Sequence, residues 1–136
     1  MNNSIQETIF SAKAATGTGK VINVDGYRHI VLALSTASSA NFTIKFQGSI
    51  GSGVNPDENT APTFSSAQAV GNMWDYIEVY DLQSGTAIDG DTGVSAAGTD
   101  DFRLFELNTN GLEYICATIT ARSAGTVTLV SRKFKD

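Results

Sequence analysis

Hydrophobic and polar positions alternate along much of this chain, most clearly between residues 41 and 47. There Phe42, Ile44 and Phe46 alternate with polar residues, which predicts a β-strand with one buried face. Residues 28–34 are apolar almost throughout, which is typical of a central strand covered on both faces. The small residues at 35–40 predict a flexible connection between the two strands. We expect this pair to form the centre of the fold.

The same pattern predicts further strands along the chain, separated by turns. They cover residues 5–14, 21–24, 74–82, 102–107, 112–122 and 126–134, with short pieces at 86–88 and 94–95. Asp25-Gly26 and residues 123–125 predict turns, and Asn110-Gly111 is a strong hairpin signal. About eight or nine strands with evenly spaced turns predict an all-β fold, an antiparallel β-sandwich of jelly-roll-like type.

Two polar stretches interrupt this regular spacing. Residues 49–68 contain both prolines and one possible helical turn at 65–69, and residues 83–101 are rich in glycine and aspartate. At 136 residues the chain has the length of one domain. We expect an N-terminal arm or edge strand at residues 1–14 and a single β-sandwich domain at 15–136.

Composition and charge narrow the range of partners. Lys plus Arg number 9 against 14 for Asp plus Glu, a net charge of −5, and no basic stripe suited to nucleic acid is present. No apolar run is long enough to span a membrane, and the N-terminus lacks the pattern of a signal peptide. A single cysteine excludes an internal disulfide. We therefore expect a protein made in a reducing cytoplasm, with neither nucleic acid nor membrane as its partner.

Two loops resemble ligand-binding motifs only in part. Residues 15–20 approach a phosphate loop, but position 14 is alanine and no hydroxyl residue follows Lys20. Residues 89–93 approach a calcium loop, but the third ligand position is Gly93 and the closing glutamate is absent. Solvated turn aspartates are the simpler interpretation, and the residues leave open whether Asp89 and Asp91 bind a cation.

Catalytic arrangements are equally incomplete. His29 and Cys116 are the only residues of their types, and both fall inside predicted strands. Four acids could supply the pair of carboxylates that glycoside hydrolysis needs: Asp75, Glu78, Glu106 and Glu113. Most of them fall at outward positions of predicted strands. We expect no enzymatic activity, no catalytic or cofactor-binding residues, no cofactor and no metal site.

Three aromatic residues share one register of the predicted strand at 74–82. Trp74, Tyr76 and Tyr80 could form a contact surface for a sugar or a protein partner. The alternative is that they belong to the core, and this alternative is favoured most for Trp74.

Several segments resemble small virion structural proteins of tailed bacteriophages. They are residues 19–32, Phe46-Gln47-Gly48-Ser49-Ile50, Trp74-Asp75-Tyr76-Ile77 and residues 110–115. The resemblance covers most of the chain from about residue 15 onward.

The resemblance implies a non-enzymatic decoration or head-stabilising protein located in the virion and synthesised in the host bacterial cytoplasm. Its implied partners are the major capsid protein or other virion proteins, and it implies a homo-oligomer, with a trimer favoured. A tail accessory protein, or a carbohydrate-binding β-sandwich module that aids adhesion to the host, is the alternative.

Overall fold

The computed structural model describes residues 4–50 and 74–135, and the regular secondary structure in these ranges consists of strands. The strands are β1 (Ser4–Lys13), β2 (Gly17–Thr18), β3 (Ile22–Asn23), β4 (His29–Ser49), β5 (Trp74–Tyr76), β6 (Val79–Asp81), β7 (Thr86–Ile88), β8 (Val94–Thr99), β9 (Phe102–Asn108) and β10 (Tyr114–Phe134). The prediction of an all-β, antiparallel fold is confirmed. Most of the predicted loop at 49–68, with both prolines and the helical turn at 65–69, lies outside the described residues. Within the described ranges no helix is long and apolar enough to cross a membrane.

All ten strands belong to one hydrogen-bonded sheet. The main order is β1-β10-β4-β9-β6-β7; β2 and β3 also pair with β10, and β5 and β8 pair with β4. Every pairing is antiparallel. Because hydrogen bonds join all the strands into one sheet, the sandwich and the jelly-roll topology stay predictions.

The centre of the sheet is the pair β4 and β10, each 21 residues long. They run antiparallel from His29 opposite Phe134 to Ser49 opposite Tyr114. The predicted loop at 35–40 and the predicted turn at 123–125 are therefore wrong, because both segments lie within continuous strands. The cross-strand register shifts three times between Ile119 and Thr126. These β-bulges bend the strand pair, and the pairing continues on both sides of the bend.

Residues of unusual backbone conformation lie at this bend. Ser38 and Ser39 have φ angles of 62° and 54°, and Gly125 on the facing strand has a φ of 77°. The Ser39 amide donates a hydrogen bond to Asp100 Oδ1 at 2.7 Å, so the turn between β8 and β9 supports the bend. The small residues predicted to make a loop instead allow the strand to change direction.

The two halves of β4 bury the same face in one common core. Ile30, Leu32 and Leu34 from the first half belong to the same cluster as Phe42 and Ile44 from the second. The intervening Val31 and Ala33 are only half-buried. The expectation of a strand covered on both faces is therefore wrong for residues 28–34, because their second face is only half-buried.

Two further local predictions change in the structure. The predicted strand at 74–82 is divided into β5, which pairs with β4, and β6, which pairs with β7 and β9. Asn110-Gly111 does form a turn, with a φ of 84° at Gly111. It is not a hairpin, because β4 lies between β9 and β10 in the sheet.

The N-terminal strand β1 lies at one end of the strand order. Ile9 and Phe10 of this strand are buried in the common core, next to a register shift that brings two consecutive side chains inward. The division into residues 1–14 and 15–136 stays a prediction.

Candidate functional site

A groove of about 510 Å³ lies beside the turn between β9 and β10. Its lining combines one aromatic ring, two carboxylates, two amides and two aliphatic side chains: Tyr80, Glu78, Glu106, Asn108, Asn110, Ile77 and Leu112. The volume lies within the range of ~300–1,000 Å³ that is common for ligand pockets. We call it the Tyr80 groove.

Strand pairing positions the polar wall of the Tyr80 groove. Tyr80 on β6 lies opposite Glu106 on β9. Asn108 follows two residues later and therefore shares the face of Glu106. Its Oδ1 accepts a hydrogen bond of 3.0 Å from the Asn110 amide, which ties the start of the turn to the end of β9. Residues from two strands and a turn thus converge on one groove.

The Tyr80 ring is both exposed and held in place. The residue is 43% exposed, and its phenol hydroxyl donates a hydrogen bond of 3.0 Å to the Gly85 carbonyl oxygen. The hydrogen bond anchors the edge of the ring to the turn between β6 and β7. The ring is therefore available for stacking without a large loss of side-chain entropy.

The aliphatic part of the groove depends on Gly48 in β4. A Cβ atom at Gly48 would lie 3.0 Å from the Ile77 side chain and 3.1 Å from that of Leu112. Ile77 is further anchored by its amide, which donates a hydrogen bond of 3.0 Å to the Phe46 carbonyl oxygen. Because Gly48 has no side chain, the side chains of Ile77 and Leu112 can pack directly against β4.

A second surface lies on the outward face of β1, β10, β4 and β9. Cross-strand register places Ala33 between Leu104 and Val130, and Val31 between Glu106 and Arg132. A groove of about 380 Å³ in this surface is lined by Gln6, Val31, Ala33, Leu104, Val130, Arg132 and Phe134. At its margin Phe102 is 62% exposed, and Leu104 within it is 39% exposed. We call this surface the outer face.

The three predicted aromatic contact residues do not share one environment. Trp74 is only 5% exposed and packs with Val21 and Cys116, whereas Tyr80 lies in the Tyr80 groove. Tyr76 is half-buried, and the Lys45 ammonium lies 5.6 Å from the centre of its ring. The break between β5 and β6 separates the residues, so a shared contact surface for all three stays a prediction.

The aspartates of the predicted cation loop serve the local turn. Asp89 Oδ1 accepts hydrogen bonds from the amides of Asp91 at 2.7 Å and Thr92 at 3.4 Å. The Asp91 carboxylate pairs with Lys45 at 2.8 Å. Among the described residues no group of three or more His, Cys, Asp or Glu side chains is placed to hold a metal ion.

His29 and Cys116 have different surroundings. Burial raises the pKa of the Cys116 thiol far above its ordinary value, and its Sγ lies 3.4 Å from Gln47 Oε1. A thiol in this environment stays protonated and is a poor nucleophile. The His29 ring instead stacks against Phe134, with 6.0 Å between the ring centres.

Of the four acids considered for glycoside hydrolysis, Glu78 and Glu106 line the Tyr80 groove. Asp75 lies on β5 and Glu113 lines a different groove. Sequence reasoning missed the contribution of Asn108, Asn110, Ile77 and Leu112. The Asn-rich turn was visible as a turn signal, but no local pattern placed it beside β6.

A buried ion pair stabilises the strands next to the groove. Asp81 pairs with Arg103, and its Oδ1 accepts hydrogen bonds from the amides of Gln83 at 2.9 Å and Ser84 at 3.3 Å. Burial raises the pKa of the Asp81 carboxyl, but the two amides and the positive charge of Arg103 outweigh burial and leave this pKa below its ordinary value.

Asp81→Asn should make the stability of the protein less dependent on pH in acid. A carboxyl with a lowered folded-state pKa stabilises fully above its unfolded pKa of about 3.9, and this contribution is lost as pH falls through the folded-state pKa. We expect the difference in unfolding free energy between wild type and variant to be constant above about pH 5 and to shrink below about pH 4. Urea unfolding across this range measures it, and a difference that stays constant to pH 2 would contradict the lowered pKa.

Comparison with known proteins identifies solved structures that are similar in fold. No protein-family model and no curated protein sequence matches the chain. The crystal structure of the SPBc2 prophage-derived protein YomS matches with a TM-score of 0.65 and 16% identity, over 98% of this chain and 94% of that one. The crystal structure of the PBSX exported protein XepA matches with a TM-score of 0.66 and 12% identity, over 97% of this chain but 38% of that one. At these identities the likeness establishes a shared fold, and these two structures come from phage-derived proteins.

Proposed function

We propose that this chain is a non-enzymatic structural protein of a bacteriophage virion that decorates or stabilises the capsid through protein–protein contacts. The proposal is supported by the fold shared with YomS and XepA, both phage-derived. It is supported further by the incomplete catalytic arrangements among the described residues, where the single thiol is buried and protonated.

The observation that carries the proposal is the apolar outer face. A sheet face exposed only to water would carry mostly polar residues. The outer face instead has an apolar centre, formed by Val31, Ala33, Leu104 and Val130. Glu106 and Arg132 flank this centre on opposite sides. An apolar centre with a charged margin is the usual composition of a protein–protein interface. The proposed occupant is the major capsid protein or another virion protein.

We further propose that the protein acts as a homo-oligomer, with a trimer as the favoured state. The strands β1 and β7 lie at the two ends of the strand order among the described residues, and strands at the end of a sheet are the ones that pair with a neighbouring copy. A closed ring would present several copies of the outer face to a symmetric capsid. Weak contacts repeated in this way add to a strong overall attachment.

Leu104→Asp should reduce attachment to capsids about tenfold, because a charge would have to be desolvated in the apolar centre. The measurement is cosedimentation of purified protein with capsids of the phage that encodes it. Ser95→Asp on β8 is the matched control, since it adds the same charge at an exposed strand position in the other half of the sheet.

The same cosedimentation assay, carried out separately with purified heads and purified tails, distinguishes decoration of the capsid from a role as a tail accessory protein. Attachment of the wild type to heads, lost in Leu104→Asp and kept in Ser95→Asp, supports decoration of the capsid. Attachment to tails alone would replace this role with that of a tail accessory protein. Absence of the protein from purified particles would overturn a structural role in the virion.

A further inference from the structure

We infer that the Tyr80 groove is a binding site for a neutral carbohydrate. The groove presents an exposed aromatic ring next to polar groups from β9 and its following turn, above an aliphatic floor. The ring and the floor of the groove lie outside the apolar centre of the outer face, but Glu106 borders both surfaces. The two proposals are therefore tested with variants at Tyr80 and Leu104 and not at Glu106.

The ring of Tyr80 provides a stacking surface. One face of a pyranose carries mainly C–H groups, which pack favourably on the electron-rich face of an aromatic ring. The hydrogen bond from the Tyr80 hydroxyl to the Gly85 carbonyl uses the polar end of this side chain within the protein. The exposed ring is thus left to act through its apolar face.

The polar groups of the groove match vicinal hydroxyls. The carboxylates of Glu78 and Glu106 accept hydrogen bonds, whereas the amides of Asn108 and Asn110 both donate and accept. Asn108 Oδ1 already accepts a bond from the Asn110 backbone, so the Asn108 NH₂ group is directed to donate. A sugar hydroxyl is both donor and acceptor and can satisfy either kind of partner.

The charge of the groove selects against anions. Two of its lining residues are acidic, and none of its lining residues is lysine, arginine or histidine. A phosphorylated, sulfated or carboxylated ligand would meet repulsion without a compensating cation. The apolar floor of Ile77 and Leu112 favours a ligand with its own apolar face over a small polyamine. A neutral oligosaccharide meets both conditions.

Binding to an array of immobilised oligosaccharides tests the inference. The array includes neutral glucose, galactose and N-acetylhexosamine oligomers, sialylated and sulfated glycans as anionic probes, and deacetylated chitosan oligomers as cationic probes. We expect neutral glycans to bind and anionic glycans to remain unbound. Titration with the strongest neutral glycan should show binding weakened at least tenfold, about 1.4 kcal/mol, in Tyr80→Ala.

Two matched variants separate stacking from other effects. Tyr80→Phe keeps the ring but loses the hydrogen bond to Gly85, so we expect a smaller loss of binding than in Tyr80→Ala. Phe102→Ser removes an exposed aromatic outside the groove and should leave glycan binding unchanged. Thermal unfolding shows that each variant is folded. Equal binding by wild type and a folded Tyr80→Ala, tighter binding of chitosan than of every neutral glycan, or no binding to any neutral glycan would each overturn the inference.

Because Leu104→Asp addresses the capsid and Tyr80→Ala addresses the glycan, the two proposals fail separately. A Leu104→Asp protein that leaves capsids but still binds glycan supports two distinct surfaces. A folded Tyr80→Ala protein that loses capsid attachment but keeps glycan binding would show instead that the groove belongs to the protein interface, and would overturn the carbohydrate site.

Discussion

Gly125→Ala should destabilise the protein by about 3–5 kcal/mol, because the bend of the central strand pair has no room for a side chain. A Cβ atom at Gly125 would lie 2.4 Å from Ala40 Cα and 2.6 Å from the Ala37 carbonyl oxygen, and both are backbone atoms. The φ of 77° adds the cost of a left-handed conformation, about 1 kcal/mol. Urea unfolding of the variant measures the loss.

Gly98→Ala is the matched control for this prediction. Gly98 has a similar φ of 73°, but a Cβ atom there would meet nothing within 4 Å. Gly98→Ala should therefore lower the free energy of unfolding only by the cost of the left-handed conformation, about 1 kcal/mol. Equal losses in the two variants would show that the backbone conformation, and not the close approach of β4 to β10, limits position 125.

Glu7→Ala should destabilise the protein by about 2–4 kcal/mol, because it leaves the charge of a buried lysine without its partner. Lys133 is only 7% exposed, and its ammonium lies 3.1 Å from Glu7 Oε1. The same ammonium donates a hydrogen bond to the Asn23 carbonyl oxygen and lies 4.8 Å from the centre of the Tyr27 ring. One side chain thus connects β1 and β10 to β3 and the turn that follows it.

The pKa of Glu7 reflects the same cluster. Burial raises it, but the hydrogen bonds and positive charges of Lys133 and Lys20 outweigh burial, so the net pKa is lowered. The stabilisation is therefore present near neutral pH and is lost in acid.

Chemical unfolding at neutral pH tests the Glu7 prediction, with Asp91→Ala as its control. The Asp91 carboxylate pairs with Lys45 at 2.8 Å but is 58% exposed, so its loss should cost less than about 1 kcal/mol. Adding Lys133→Met to Glu7→Ala should recover part of the loss, because the stranded charge is removed. A double variant less stable than Glu7→Ala alone would contradict this explanation.

The candidate site was only partly predictable from the sequence. Tyr80 was identified as an aromatic strand residue, and Glu78 and Glu106 as outward acids, because the alternation of β-strands is a local property. Their convergence on one groove with Asn108 and Leu112 was not predictable. The convergence depends on the pairing of β6 with β9 and on the packing of Ile77 and Leu112 against Gly48. Neither contact is visible in the pattern of neighbouring residues in the sequence.

The sequence by itself determined that this protein is an antiparallel all-β domain, since alternating apolar positions and turn residues act over a few neighbouring residues. The tertiary structure alone decided that residues 29–34 and 41–47 belong to one strand. A serine-rich segment can form either a loop or a bent strand. Here it forms a bent strand because β4 pairs with β10, whose Gly125 allows the two strands to approach each other closely at the bend. The tertiary structure likewise buried Trp74 and exposed Tyr80, because the partners that cover or leave open each ring come from distant parts of the chain.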